Sequence, residues 1–173
     1  MPRNVEIKAR IESVDLLIPK VAAIADEGPT EISQNDTFFT CPNGRLKLRA
    51  FSEREGELIF YQRPDAPGPK ESSYLIAPTS SPRELREVLS RAYGIVGRVR
   101  KQRTLFVAGR TRIHLDRVEE LGEFLELEVV LADGEATNEG VKTAHELLGK
   151  LEISSEHLVQ GAYVDLIAAK PAG

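Results

Sequence analysis

Glu126 and Glu128, in the run Gly122-Glu-Phe-Leu-Glu-Leu-Glu-Val-Val-Leu131, are separated by one apolar residue in a strand-like stretch, so both carboxylates leave the same face. Such a pair of hard oxygen donors can hold a divalent ion such as Mg2+ or Mn2+. Upstream, Arg112-Ile-His-Leu-Asp116 sets Arg112, His114 and Asp116 at the same period of two. The chain opens with Asn4-Val-Glu-Ile-Lys-Ala-Arg10, where Glu6 and Lys8 alternate with aliphatics. Lys47 and Arg49, and again Lys101 and Arg103, repeat the spacing, and Arg63 ends the run Glu57-Leu-Ile-Phe-Tyr-Gln-Arg63.

If the faces carrying Lys8, Lys47, Arg49, Arg63, Lys101, Arg103 and Arg112 point to one interior, the cavity is cationic and matches a polyanion. Guanidinium groups grip phosphate bidentately and ammonium groups act as point charges. Glu6, Asp116, Glu126 and Glu128 belong beside phosphate only if a divalent cation lies between them. Phosphoryl or nucleotidyl transfer is the chemistry of such a set. The competing reading is a solvated sheet face laced by cross-strand salt bridges, which needs no substrate. His114 serves equally as a structural hydrogen-bonder or as an acid or base.

The elements that must position these residues are strands first. Val5, Ile7, Ala9 and Ile11 alternate with charges, predicting a strand over 3–12. Ser13 caps a helix carrying Val14, Leu17, Ile18, Val21 and Ile24, which ends by Gly28-Pro29. Strands follow over 32–40, 45–50 and 57–63, then an exposed proline-rich loop over 64–70 and a short strand over 74–77. Ser81-Pro82 opens a helix that ends at Gly94. Strands over 98–108, 110–118 and 123–132 come next, then helices over 138–151 and 155–159, and a closing strand over 163–168. The class is α+β. Periodicity alone leaves separate sheets and one closed barrel both open, and charge on one face of several strands favours closure around a lined interior.

Composition sets the outer bounds. With 173 residues, 41% hydrophobic and 29% charged, the chain predicts one domain over 1–173. A formal charge of −4 lacks the basic footprint of a nucleic-acid binder. The single cysteine, Cys41, excludes an internal disulfide, and no apolar run approaches the ~20 residues of a membrane span. The opening Met-Pro-Arg-Asn-Val-Glu lacks the pattern of a secretory signal, so the expectation is a cytoplasmic protein without membrane partners. No glycine-rich phosphate loop occurs. Exposed helices or barrel edges leave a homodimer open.

Six short motifs stand in order: Asn4-Val-Glu6-Ile-Lys8, Lys47-Leu-Arg49, Tyr61-Gln-Arg63, Lys101-Gln-Arg103, Arg112-Ile-His-Leu-Asp116 and Glu126-Leu-Glu128. Together they resemble the CYTH family, the triphosphate tunnel metalloenzymes that include class IV adenylyl cyclases and thiamine triphosphatases. The resemblance covers almost the whole chain. It implies an eight-stranded antiparallel barrel with flanking helices, open as a tunnel. Its basic residues would grip a triphosphate such as ATP or tripolyphosphate, and its acidic residues would hold one or two divalent ions.

The wording Ile-His-Leu-Asp-Arg-Val-Glu-x-Leu-Gly-x-Phe-Leu-Glu-Leu-Glu is most similar to the class IV cyclase branch. That branch implies conversion of ATP to cyclic AMP and pyrophosphate. A tripolyphosphatase or organic triphosphate hydrolase, and a polyphosphate-binding module without turnover, are the alternatives. Two positions depart from the family pattern. Asn4 stands where it has glutamate, removing an anionic ligand. Phe38 stands where thiamine triphosphatases carry a tyrosine linked with water activation.

Overall fold

Alternating strands that are apolar on one face and charged on the other must hide the apolar face, and a ring does so only if helices cover its outside. A computed structural model of the chain, which describes residues 2–64 and 68–170, shows that solution. Eight antiparallel strands close into a barrel: β1 (Arg3–Arg10), β2 (Glu27–Phe39), β3 (Arg45–Ala50), β4 (Gly56–Gln62), β5 (Lys70–Thr79), β6 (Ile95–Ala108), β7 (Thr111–Val118) and β8 (Gly122–Val130). Around the ring they run β1-β5-β4-β3-β2-β6-β7-β8.

The helices are α1 (Val14–Ile24), α2 (Pro82–Tyr93), α3 (Thr137–Lys150) and α4 (Tyr163–Ala168). Ser13 Oγ accepts from the Leu16 amide at 3.3 Å and starts α1, as its spacing predicts. Val14, Leu17 and Val21 of α1, and Ala144, Leu147 and Leu148 of α3, pack on the outward faces of β1, β7 and β8. There they meet Val5, Ile7, Ile113, Leu115, Leu125 and Leu127, so the main apolar core lies outside the ring and leaves its interior to polar groups. α3 comes so close that a Cβ on Gly140 would stand 2.6 Å from Val5 Cγ2.

Several elements differ from the sequence expectation. β2 begins at Glu27 instead of 32, because a register shift between Glu27 and Thr30 absorbs Gly28-Pro29, the pair that marks a break in sequence. Gly28 has φ 107 there, and a Cβ on it would sit 2.6 Å from Leu105 O. β5 spans Lys70–Thr79, longer than 74–77, since it must pair with both β1 and β4 to close the ring. Residues 65–67 of the expected loop lie outside the described residues.

The expected strand over 163–168 is the helix α4. The eight strands already satisfy one another, which leaves no edge for a ninth, and Asp165 turns the chain by accepting from the Ala162 amide at 3.3 Å. The expected helix over 155–159 shortens to a 3-10 turn at Ser155–His157.

Candidate active site

The pleat sends Glu6 and Lys8 of β1, Asp36 of β2, Lys47 and Arg49 of β3, Lys101 and Arg103 of β6, Arg112 and His114 of β7, and Glu126 and Glu128 of β8 into one cavity of about 370 Å³. Arg63, just past β4, joins them. The salt-bridge reading and the cavity reading are thus both realised, because the bridges form inside the ring. Each basic group has a carboxylate oxygen at 3.7 Å or nearer: Lys8 with Glu126 at 3.4 Å, Arg63 with Glu6 at 3.3 Å, Arg103 with Asp116 at 2.7 Å and Arg112 with Glu128 at 2.8 Å, while Lys47, Arg49 and Lys101 share Asp36 at 3.7, 2.8 and 3.1 Å.

That sharing makes the two walls unlike. On the β2–β3–β6 wall one carboxylate faces three cations, and Arg49 holds it through both oxygens at 2.9 and 2.8 Å. Burial alone would raise Asp36, yet Arg49, Lys101 and Lys47 hold it well below the usual carboxylate range. Burial, with Arg49 beside it, takes the Lys47 ammonium down to about 7, and burial takes Lys101 down to about 8. Across the ring, β1 carries Glu6 and β8 carries Glu126 and Glu128, with β7 beside β8. Burial, and after it the charges of Glu128 and Glu126, raise Glu6, while Arg63 at 3.3 Å works against them.

His114 Nδ1 lies 3.4 Å from Glu126 Oε1 and 3.5 Å from Glu128 Oε1. These three side chains bring ligand atoms within 4.8 Å of one another. The donor set, a ring nitrogen with hard oxygens and a raised carboxyl alongside, fits a divalent cation. Asp116 is placed elsewhere. It is fully buried, receives Arg103 through both oxygens at 2.7 and 2.8 Å, and accepts from Tyr163 OH at 2.7 Å, so its lone pairs face the guanidinium and the phenol and not the Glu126/Glu128 cluster.

Sequence reasoning passes over two residues. Asp36 shares the inward parity of β2, a signal visible once Lys47 and Arg49 are paired with that strand. Tyr163 enters from α4, outside the sheet, and strand parity cannot find it. Its ring lies 3.9 Å beneath the Lys8 ammonium and 5.6 Å from that of Lys101, and it packs edge-on against Phe124 at 5.1 Å. With Val164 and the inward-facing Phe38, Tyr61, Val99, Val118 and Phe124, it packs one end of the barrel with apolar side chains. Lys8 Nζ also donates to Gly161 O at 3.4 Å, tying the segment before α4 to the cavity.

The family model of the CYTH domain matches residues 2–163, which include all eight strands of the ring. The chain belongs to the CYTH family. Solved structures with the same fold include a Pyrococcus horikoshii protein at TM-score 0.84 and 22% identity, covering 95% of this chain and 99% of that one. A candidate adenylate cyclase of Vibrio parahaemolyticus matches at TM-score 0.78 and 19% identity, over 96% of this chain and 98% of that one. A Hippeastrum protein, described as a candidate adenylyl cyclase with a dominant triphosphatase activity, matches at 0.67 and 16%, over 96% and 95%. No curated protein matches this CYTH chain. No helix among the described residues is long and apolar enough to cross a membrane.

Proposed function

We propose that this CYTH protein is a divalent-metal-dependent enzyme that acts on the triphosphate of an organic substrate, with ATP cyclisation to cyclic AMP and pyrophosphate as the reaction. The carrying observation is the division of the cavity into a cation-rich wall at Asp36 and a carboxylate wall at Glu126 and Glu128. A triphosphate laid between them meets guanidinium and ammonium groups on one side and a metal on the other.

Lys47, Arg49 and Lys101 bind phosphate oxygens, and Lys8, Arg63 and Arg112 close the cradle. Arg103 is aimed by Asp116, which acts on the substrate through that arginine. Glu126, Glu128 and His114, with Glu6 alongside, would hold the ion, and a bound ion polarises a phosphoryl oxygen and stabilises the charge of the leaving group. This assignment takes His114 out of proton transfer. The organic end fits the mouth away from α4, where Ile32, Phe51, Ile76 and Leu105 line the cavity with apolar surface. In cyclisation the oxygen of the ribose 3′ hydroxyl bonds to the α-phosphorus and its proton passes to solvent, the α-phosphorus bond to the bridging oxygen of the β,γ-diphosphate breaks, and pyrophosphate leaves with that electron pair. The packed end near Tyr163 keeps bulk water from that side.

A second reading is hydrolysis, in which water attacks a phosphorus held in the same cradle. The likeness to the Hippeastrum protein supports it. The test is product analysis of the purified chain with ATP and with tripolyphosphate, each with Mg2+ and with Mn2+. Cyclic AMP with pyrophosphate supports the cyclase, orthophosphate replaces it with the hydrolase, and metal-dependent binding without turnover rejects both in favour of a binding module.

A further inference from the structure

Two side chains on the carboxylate wall bear on which ion it takes: His114 is not of the kind an all-oxygen Mg2+ site calls for, and Asn4 carries an oxygen without a donor among the described residues. His114 is 4% exposed and turns Nδ1 to both Glu126 and Glu128. Asn4 is 2% exposed and lines the same cavity. Its Nδ2 donates to Glu128 Oε2 at 3.2 Å, while its Oδ1 is buried with no hydrogen-bond partner among the described residues. A buried amide oxygen without a donor costs about 1–3 kcal/mol unless something satisfies it, and a cation does so.

We infer that this wall is built for a first-row transition ion such as Mn2+, Co2+ or Zn2+ in preference to Mg2+, with His114 supplying a nitrogen ligand and Asn4 an uncharged oxygen. The inference rests on the reading that this wall holds the metal. Mg2+ favours oxygen and sheds water reluctantly, whereas the first-row transition ions take an imidazole nitrogen more readily, Mn2+ least and Zn2+ more so. The spacing agrees: His114 Nδ1 stands 3.4 and 3.5 Å from the two carboxylate oxygens, and ligands bonded to one ion at ~2.0–2.2 Å lie roughly 3–3.5 Å apart. The charge agrees as well. Glu126 and Glu128 balance a divalent ion, the charge of Glu6 being met by Arg63 at 3.3 Å, and the imidazole and amide add neutral ligands that do not repel a triphosphate and leave positions for its oxygens. Arg112 and Lys8, bound to Glu128 and Glu126, keep the two carboxylates oriented.

The test uses the whole ligand-free protein, with Mn2+ binding followed by the electron paramagnetic resonance of the free ion and Mg2+ added as competitor. The expected result is that halving bound Mn2+ takes about a hundredfold excess of Mg2+, and that His114→Asp narrows this margin by roughly 10–100-fold. Pulsed resonance on the Mn2+-loaded wild type should show nitrogen coupling from an imidazole, a readout that stands even where the variant fails to fold. Displacement at near-equal Mg2+, an unchanged margin in a folded His114→Asp protein, or a spectrum with oxygen ligands alone would each overturn the inference. Absence of any Mn2+ binding would overturn it too, and tripolyphosphate binding measured beside it shows separately whether the cradle reading survives.

Discussion

Asp36 is one negative charge serving three cations, so removing it probes the cavity from the anion's side. Asp36→Asn leaves Lys47, Arg49 and Lys101 buried without their shared partner and should cost about 3–5 kcal/mol. Tripolyphosphate should then raise the melting temperature more in the variant than in the wild type, because it replaces the missing charge; equal increments in a thermal-shift series would sink that idea. Lys47 gives a pH test. Its folded pKa of about 7 lies below the ordinary lysine value of 10.5, so between those values the unfolded chain binds the extra proton. The contribution of Lys47 to stability therefore rises with pH across that window, and the gap between wild type and Lys47→Met should move in favour of wild type from pH 7 to 10 in urea titrations. Polyanion binding at pH 8 should reverse the shift and take up protons, seen as buffer-dependent heats in calorimetry. Most lining residues are legible because a period of two carries them, as with Glu126/Glu128 and Lys101/Arg103. Asp36 is not, because Gln34-Asn-Asp-Thr37 is polar on both faces and its parity emerges only from pairing with β3.

At the scale of elements, the strands are legible and α4 is not. Tyr163-Val-Asp-Leu-Ile-Ala168 is short, apolar and partly β-branched, and six residues are too few for a helical period to declare itself. What decides it is tertiary: a closed ring offers no edge, and Tyr163 and Val164 have a barrel end to fill. Two substitutions test the docking of α4. A Cβ at Gly97 would sit 2.6 Å from Val164 Cγ2, so Gly97→Val should cost about 1–3 kcal/mol and speed hydrogen exchange of the α4 amides. Unchanged protection would mean that α4 is held from elsewhere. Tyr163→Phe removes the bond to Asp116 and should lower stability by about 1.5–3 kcal/mol, while Arg103 loses part of its alignment and KM for whichever triphosphate is turned over rises. A KM equal to that of wild type in a folded variant would confine Tyr163 to packing.

For the whole molecule, the arrangement inverts that of most small domains, with apolar core outside the sheet and paired charge within it. That inversion follows from the alternation of β1, β7 and β8, whose aliphatic faces are claimed by α1 and α3 and whose charged faces then have only the interior to meet. The choice of reaction is not legible because it depends on which phosphorus the nucleophile reaches, a matter of placement that residue types do not encode. The packing of Phe38, Val99, Phe124, Tyr163 and Val164 at one end has a consequence for the shape of what can enter. A pipe open at both ends could thread a polymer and act anywhere along it. A socket accepts only a terminus, so this protein should recognise how a phosphate chain ends and be indifferent to how long it is: esterifying the last phosphate of a short polyphosphate would block entry, whereas extending the chain outside the mouth would change little.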